Sequence, residues 1–384
     1  MDYSLPGDVE LLRKTIREFV RREIEPAADA IDREERFPAE IVRKAGEIGL
    51  LGIPFPEEYG GTGLGDAAYC VLNEEVAYSS AAVATIIGAH VGIACKSLFY
   101  AGTEEQKRKY LVPLARGEKL GAFALTEPQA GSDASGIRTS AVPDGGDYVL
   151  NGTKIWITNG GVADVVIVYA DVPRSDGRRG GITPFVVEKG TKGFSVGSIE
   201  KHMGIRGSST AELVFEDCRA PAGNRLGEEG SGFATAMKAL DAGRIGLGAG
   251  CVGMAQRCLD MSIDFAKQRV QFGKPIIKQQ AIQFKLAEMA TEIHAARQIV
   301  YHAAWLLDCG KKVTKEAAMV KLFCSQMVNR CAYQALQVHG GMGYMTDYPM
   351  ERFYRDARVT EIYEGTSEIQ KLVIAMQLLR ESRK

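Results

Sequence analysis

Asp147-Tyr-Val-Leu-Asn-Gly-Thr-Lys-Ile-Trp-Ile-Thr-Asn-Gly-Gly161 is patterned for β-structure in a chain otherwise patterned for helices. The runs Asp147 to Leu150 and Lys154 to Thr158 carry strand-forming residues, Asn151-Gly152 between them is a hairpin-turn signal, and Asn159-Gly-Gly161 marks another turn. Val165-Val-Ile-Val-Tyr169 and Pro184-Phe-Val-Val-Glu188 continue the pattern. The spacing predicts an antiparallel β-domain between Gly121 and about residue 229.

On either side the apolar period lengthens. Leu12, Ile16, Phe19, Val20, Ile24, Ala27 and Ile31 step at three- and four-residue intervals, the pattern of one amphipathic helix. Further helical patterns cover roughly 39–51, 66–78, 82–100 and 104–115, with the Gly/Pro-rich Ile53 to Gly63 between the first two. After Gly230-Ser-Gly232 long helices are predicted near 233–269, 279–308, 314–338 and 367–381, enough for a bundle. The fold class is therefore mainly α with a central β-domain: a helical N-terminal domain (1–120), a β-domain (121–229) and a C-terminal four-helix bundle (230–384). On the last helix, Ile369, Leu372, Val373, Met376 and Leu379 are expected to face the core, behind a capping box of Ser367 and Gln370.

Composition bounds the function. At 384 residues the chain is long enough for two or three domains, and 46% hydrophobic with 25% charged residues is ordinary globular usage. No apolar run is read as reaching bilayer length, so membrane insertion is not expected. Lys plus Arg (47) nearly balances Asp plus Glu (48), leaving no electrostatic reason for a nucleic-acid partner. Eight cysteines are scattered without a CxxC pair, which argues against a metal or a redox motif. Cys251 and Cys258, like Cys324 and Cys331, have the spacing of buried helix-face positions and are expected to be reduced. The N-terminus lacks a basic segment followed by an apolar one, so a reducing compartment is expected: the cytoplasm, or the mitochondrial matrix for a processed chain.

The chemistry is expected near the C-terminus, in Glu361-Ile-Tyr-Glu-Gly-Thr-Ser-Glu-Ile-Gln370, where Glu364 falls on a loop between two helices. A carboxylate between an aromatic residue and a glycine, facing an interior, has a raised pKa and can act as a base; for a lone glutamate the plainer reading is a surface ion pair with a nearby arginine. Phe123 to Asp133 is a polar, turn-forming stretch: an ordinary loop, or one whose Thr126 and Ser132 hydroxyls and Gly131 backbone receive a flat heterocycle or a phosphate. Trp156 and Thr158 share one strand face, on which a tryptophan either fills a core or walls a planar cofactor.

Ala242 to Gly253 contains five glycines, each disfavoured in a helix by roughly 1 kcal/mol relative to alanine, so either a neighbouring helix packs closely or a ligand runs along this surface. Asp241 and Arg244, three apart, are placed for a local ion pair or for the polar part of a ligand. Arg269 to Pro275 reads as a helix end, and Gln337 to Gly343 as a helix end with a glycine turn, in which His339 is structural for want of any Ser or Cys nucleophile motif.

Taken together, Phe123 to Asp133, Asn151 to Gly161, Leu240 to Gly246, Arg269 to Pro275, Gln337 to Tyr344 and Tyr363 to Gln370 resemble the acyl-CoA dehydrogenase family, in order and across almost the whole chain. Leu240 to Gly246 and Glu361 to Ile374 look most like its short-chain, butyryl-type branch. The resemblance implies a barrel-like β-domain between the helical domain and the bundle, with FAD held between sheet and bundle. The implied reaction converts an acyl-CoA to a trans-2-enoyl-CoA, as in fatty acid or amino acid catabolism. Glu364 matches the base that removes the α-proton while flavin N5 accepts the β-hydrogen as hydride, and electrons pass to an electron-transferring flavoprotein.

By the same resemblance, Phe123, Leu125, Thr126, Ser132, Trp156 and Thr158 surround the flavin, with Ser132 also near the CoA arm. Asp241 and Arg244 match CoA-binding positions, and Tyr363 and Gly365 flank the substrate beside the base. Arg269, Phe272, Gln280, Gln337, Gly340 and Gly341 match FAD contacts reached across a subunit interface of a homotetramer, and Thr366 and Glu368 match further FAD contacts. Some relatives carry the base on the long bundle helix, where this chain has Ala242 and Gly243. Ser79 to Gly92, expected to border the acyl pocket, contains no Arg or Lys, which favours an apolar acyl chain over a dicarboxylate. Two alternatives stand beside this: enoyl-CoA reduction, and a non-catalytic flavoprotein of the same fold.

Overall fold

Seven strands form one curled sheet: β1 (Gly121–Ala124), β2 (Ser140–Asp144), β3 (Asp147–Thr158), β4 (Val165–Val172), β5 (Gly181–Glu188), β6 (Phe194–Ile199) and β7 (Thr210–Pro221). This computed structural model describes residues 7–175 and 180–382. The strand order is β1-β4-β2-β3-β7-β6, with β5 also paired to β4. The pairing is mixed rather than purely antiparallel, because β1 runs parallel to β4 and β2 meets β4 in parallel at Ser140↔Asp171. A parallel pair needs a crossover, and residues 125–164, which include β2 and β3, supply it.

Asn151-Gly152 is not a hairpin turn. It lies inside β3, and the chain reverses instead at Gly145-Gly146, with φ 58° and 94°. At Asn151-Gly152 the register against β7 shifts, a β-bulge. A second irregularity between Lys154 and Ile157 puts Trp156 in the left-handed region at φ 57°, so simple alternation does not describe its side of the strand.

Strand β4 is buried on both faces by opposite partners. Val165, Ile167 and Tyr169 join the helical core, whereas Val166, Val168 and Ala170 join the core enclosed by the sheet. Asn159 ties the two layers, its Nδ2 donating to Ile86 O (3.0 Å) and Gly121 O (3.3 Å).

The single helix expected over 9–31 is segmented. Helix α1 (Gly7–Phe19) passes through a π turn (Val20–Ile24) and a 3-10 turn (Glu25–Ala27) before Ala28–Glu34, and Pro26, which lacks an N–H, lies in the irregular part. Helix α2 (Gly65–Ala77) precedes a helical run, Ala81–Ala101, that is 21 residues long and apolar enough to cross a membrane by length and composition. The sequence reading places a helix over 82–100 but none of bilayer length; 72% of the most apolar window of the run is buried inside the protein, where it serves as a core helix.

The bundle consists of α3 (Gly232–Gln268), α4 (Gln280–Asp308) and α5 (Thr314–His339), followed by α6 (Met350–Arg358) and α7 (Ser367–Glu381). Close helix packing accounts for much of the glycine-rich stretch of α3. A Cβ would lie 2.0 Å from Glu74 O at Gly253 and 2.3 Å from Val320 at Gly248. Helix α7 departs from expectation twice. Its N-cap is Thr366, whose hydroxyl accepts from Ile369 N–H (3.4 Å), not Ser367. Its stripe also stays open: α7 is tied to α5 by Lys315 and Glu381 (2.7 Å), but Leu372, Met376 and Leu379 are exposed. All eight cysteines are free thiols and seven are buried, including the two helix-face pairs.

Candidate active site

The loop after α6 turns sharply at two successive left-handed residues, Glu364 (φ 52°) and Gly365 (φ 92°). A glutamate held there is strained by about 1–3 kcal/mol, so neighbours must fix it. Arg244 Nε donates to Glu364 O (3.1 Å), while Gln370 Nε2 donates to Glu364 O (3.2 Å) and Gly365 O (2.9 Å). Arg244 is in turn held by Asp241 (3.1 Å), whose other oxygen accepts from Thr314 Oγ1 (2.7 Å). The local ion pair expected of Asp241 and Arg244 is present and buried, and its work is to clamp the loop.

The Glu364 side chain turns inward. Its Oε2 is buried without a hydrogen-bond partner, and a Cβ at Gly243 would sit 2.7 Å from it. Among the described residues Glu364 makes no ion pair, which removes the surface-pair reading. Burial pushes its pKa up to about 7, against the opposing pull of Arg244 and Lys321. A carboxyl poised there exists in both protonation states near neutrality and can take up and return a proton. No backbone hydrogen bond from the Glu364 N–H occurs among the described residues, leaving it free to receive an oxygen ligand.

Two further buried polar groups lie around this carboxylate, and sequence reasoning missed both. Lys321 Nζ, on α5, has no hydrogen-bond partner, and burial pushes it down to about 8 against the pull of Glu364 and Cys251. Its signal was available: a lysine within the apolar spacing Ala317, Val320, Cys324 is a charge on a buried stripe. Tyr69, on α2, also has a buried hydroxyl without a partner, and α2 is buried on nearly all sides, so its pattern singled out no position. Tyr363, beside the base, is shifted upward by burial.

A second group forms on the sheet. Ile155 N–H donates to Thr126 O (3.0 Å), which joins the loop after β1 to the bulged end of β3. Thr126 and Thr158 are half-buried there, Phe123 and Leu125 are buried, Ser132 is exposed, and Trp156 is 61% exposed, so it is not a core residue. The loop is fastened from below by Glu127, which takes Lys154 Nζ (2.6 Å), Arg138 N–H (2.6 Å) and Thr139 N–H (2.9 Å). Burial pushes Lys154 down to about 8; it would push Glu127 up, but Lys154 and the other donors hold that carboxyl below its ordinary range. An exposed indole on the strand that carries half-buried Thr158 and that is bonded to the firmly anchored Thr126 loop suits a flat heterocycle that both stacks and accepts hydrogen bonds.

A third group collects at one end of the bundle. Arg269, Phe272, Gln280, Gln337, Gly340 and Gly341 are all exposed, Phe272 at 94%, around the small hairpin Val270–Pro275. His339 Nδ1 lies 2.8 Å from Ala335 O and the ring stacks on Phe265 (4.5 Å), a structural role. No hydrogen bond, ion pair or ring contact among the described residues links this group to the sheet group. Thr366 is occupied as the α7 cap, and Glu368 is exposed.

Family comparison agrees with this architecture. Models of the acyl-CoA dehydrogenase N-terminal, middle and C-terminal domains match residues 7–118, 122–218 and 230–379. The chain belongs to the acyl-CoA dehydrogenase family, flavin-dependent oxidoreductases whose members bind FAD. It is 50% identical over 382 residues to an acryloyl-CoA reductase (NADH) of Anaerotignum propionicum, covering 99% of this chain and 96% of that one. It is 47% identical to a short-chain specific acyl-CoA dehydrogenase of Clostridium acetobutylicum, over 99% of this chain and all of the other (100%). Among solved structures, butyryl-CoA dehydrogenase from Megasphaera elsdenii superposes with a TM-score of 0.96 at 44% identity, covering 99% and 100% of the two chains. A chain solved in work on the electron transferring flavoprotein of Acidaminococcus fermentans gives 0.97 at 45% identity, covering 99% and 100%. An acyl-CoA dehydrogenase from Bacillus anthracis complexed with FAD gives 0.94 at 40%, covering 99% of this chain and 68% of that one.

Proposed function

We propose that the protein catalyses FAD-dependent α,β-dehydrogenation of a short-chain acyl-CoA to the trans-2-enoyl-CoA, with Glu364 as the base that removes the α-proton. The observation that carries this is the Glu364 carboxylate itself: buried, unpaired, with a pKa near 7, and held by Arg244 through its backbone. The loop clamp fixes the direction of attack, and the unbonded Glu364 N–H is available to the thioester carbonyl, whose oxygen gains charge as the proton leaves. Desolvation strengthens both effects.

Trp156, Thr126, Ser132 and Thr158, with Phe123 and Leu125 behind, would hold FAD, which when bound would accept the β-hydrogen as hydride. The exposed group of Arg269, Phe272, Gln280, Gln337, Gly340 and Gly341 fits contacts to the FAD of a neighbouring copy. That placement, with the open apolar stripe of α7, favours a homotetramer. Electrons then go to an electron-transferring flavoprotein, a partner supported by the similarity to the chain from the Acidaminococcus work. The short-chain reading rests on the similarity to the butyryl-CoA and short-chain specific enzymes.

The test is anaerobic titration of the FAD-loaded protein with butyryl-, isobutyryl-, hexanoyl-, octanoyl- and glutaryl-CoA, followed at the flavin absorbance band. Bleaching by a short apolar acyl-CoA is expected, and Glu364→Gln is expected to keep FAD but lose bleaching; bleaching at the native rate in that variant overturns the assignment. The acryloyl-CoA reductase relative supports a second reading, reduction of a 2-enoyl-CoA by the same residues run backwards. Reoxidation of the dithionite-reduced protein by crotonyl-CoA, faster than bleaching by butyryl-CoA, would favour it.

A further inference from the structure

Tyr69 is a buried group near the base for which the proposed chemistry has no use. It is 1% exposed on α2, and its side chain enters a gap made by glycines of two other helices. A Cβ at Gly92 would lie 2.6 Å from the Tyr69 hydroxyl, and one at Gly246 would lie 2.7 Å from the ring and 3.2 Å from the hydroxyl. A Cβ at Gly88 would lie 3.9 Å from the same oxygen. Any side chain at Gly92 or Gly246 would displace the phenol, so the ring position is built into both helices. The nearby amide of Asn73 gives its N–H to the Tyr69 carbonyl (2.9 Å), and the hydroxyl has no hydrogen-bond partner.

The position relative to the base gives the group a use. Gly243 borders the Glu364 carboxylate, and the Cβ position of Gly92 is 3.5 Å from the Gly243 Cα. Gly246 follows Gly243 by three residues, about 4.5 Å along the helix. The phenol therefore stands roughly one helical turn beyond the carboxylate, past Ile93, on the uncharged wall formed by Ala81 to Cys95.

We infer that Tyr69 is the floor of the acyl pocket, and that its ring limits substrates to chains of a few carbons. This rests on the reading that Glu364 acts on an acyl-CoA. A chain whose α-carbon is addressed by Glu364 runs toward Gly92 and Gly246 and ends against the phenol. The ring sets the limit, fixed in place by Gly92 and Gly246.

The test uses the full-length, FAD-loaded protein as wild type, Tyr69→Phe, Tyr69→Leu and Tyr69→Ala, with kcat/KM measured for butyryl-, hexanoyl- and octanoyl-CoA against an artificial electron acceptor. The octanoyl-to-butyryl ratio should rise about tenfold or more in Tyr69→Ala, by an intermediate amount in Tyr69→Leu, and by no more than about twofold in Tyr69→Phe, as expected when pocket volume discriminates. Tyr69→Leu removes less of the core and serves if the alanine variant does not fold. Folded, FAD-loaded variants that keep the wild-type ratio overturn the assignment, as does a phenylalanine variant that shifts it as far as alanine. In a wild-type protein that oxidises no acyl-CoA, both readings fall; with wild-type activity and an unmoved ratio, only the role of Tyr69 falls.

Discussion

A methyl group on Gly243 would stand 2.7 Å from Glu364 Oε2 and equally close to Ile93, so the missing side chain of one residue is the space occupied by the carboxylate of the other. Gly243→Ala should displace the carboxyl and slow acyl-CoA-dependent flavin bleaching by about a hundredfold, the scale of a small misplacement of a reacting group. FAD content should be unchanged. Stopped-flow bleaching beside the flavin spectrum checks this, and a native rate would show that the loop has slack.

The Glu364 carboxyl, pushed up to about 7 by burial, is basic only above that pH. The bleaching rate at saturating acyl-CoA should rise through neutrality and level off on the alkaline side. Stability runs the other way. Because the folded pKa lies above the ordinary value of 4.5, ionisation is disfavoured in the fold: the penalty is absent below about 4.5, grows toward 7 and is constant above. Glu364→Gln should therefore be more stable than the wild type at pH 8, by on the order of 3 kcal/mol, and no more stable at pH 4. Denaturant titrations at the two pH values decide it.

Lys321 is a cation that favours the ionised base. In Lys321→Met the Glu364 pKa should move further up, carrying the midpoint of the pH–rate profile to the alkaline side while FAD binding persists. A profile that stays in place would mean that Arg244 alone opposes the effect of burial.

Glu127 and Lys154 form an ion pair with both side chains almost fully buried. Glu127→Ala leaves the ammonium unpaired and should cost about 3–5 kcal/mol. It also frees the Arg138 and Thr139 backbone, so the loop bearing Thr126 and Ser132 should lose FAD affinity. Urea denaturation and FAD retention on gel filtration measure the two effects, and replacing Lys154 by Met in the same chain should recover part of the stability but not the flavin.

Much of this was legible in the sequence because helical and strand periods report burial. The four long C-terminal helices and the strands around Val165 and Pro184 appear where their apolar spacing puts them. Asn151-Gly152 misled because the same dipeptide that makes a tight turn also fits a bulge, and only pairing with β7 distinguishes the two. The α7 stripe misled for another reason: periodicity marks a face that will be covered, not which surface covers it, and within one chain Leu372, Met376 and Leu379 stay open. Glu364 was found by its setting between Tyr363 and Gly365. The groups that surround it, Lys321, Arg244 and Tyr69, arrive from other helices, at separations that no local pattern encodes.

Of the eight thiols only Cys309 lies at the surface, and burial pushes the pKa of each of the other seven upward. The intact chain thus offers a single handle to a maleimide dye, while an opened chain offers eight. Counting labels by mass spectrometry after brief exposure would convert this distribution into a gauge of how often, and where, the molecule breathes.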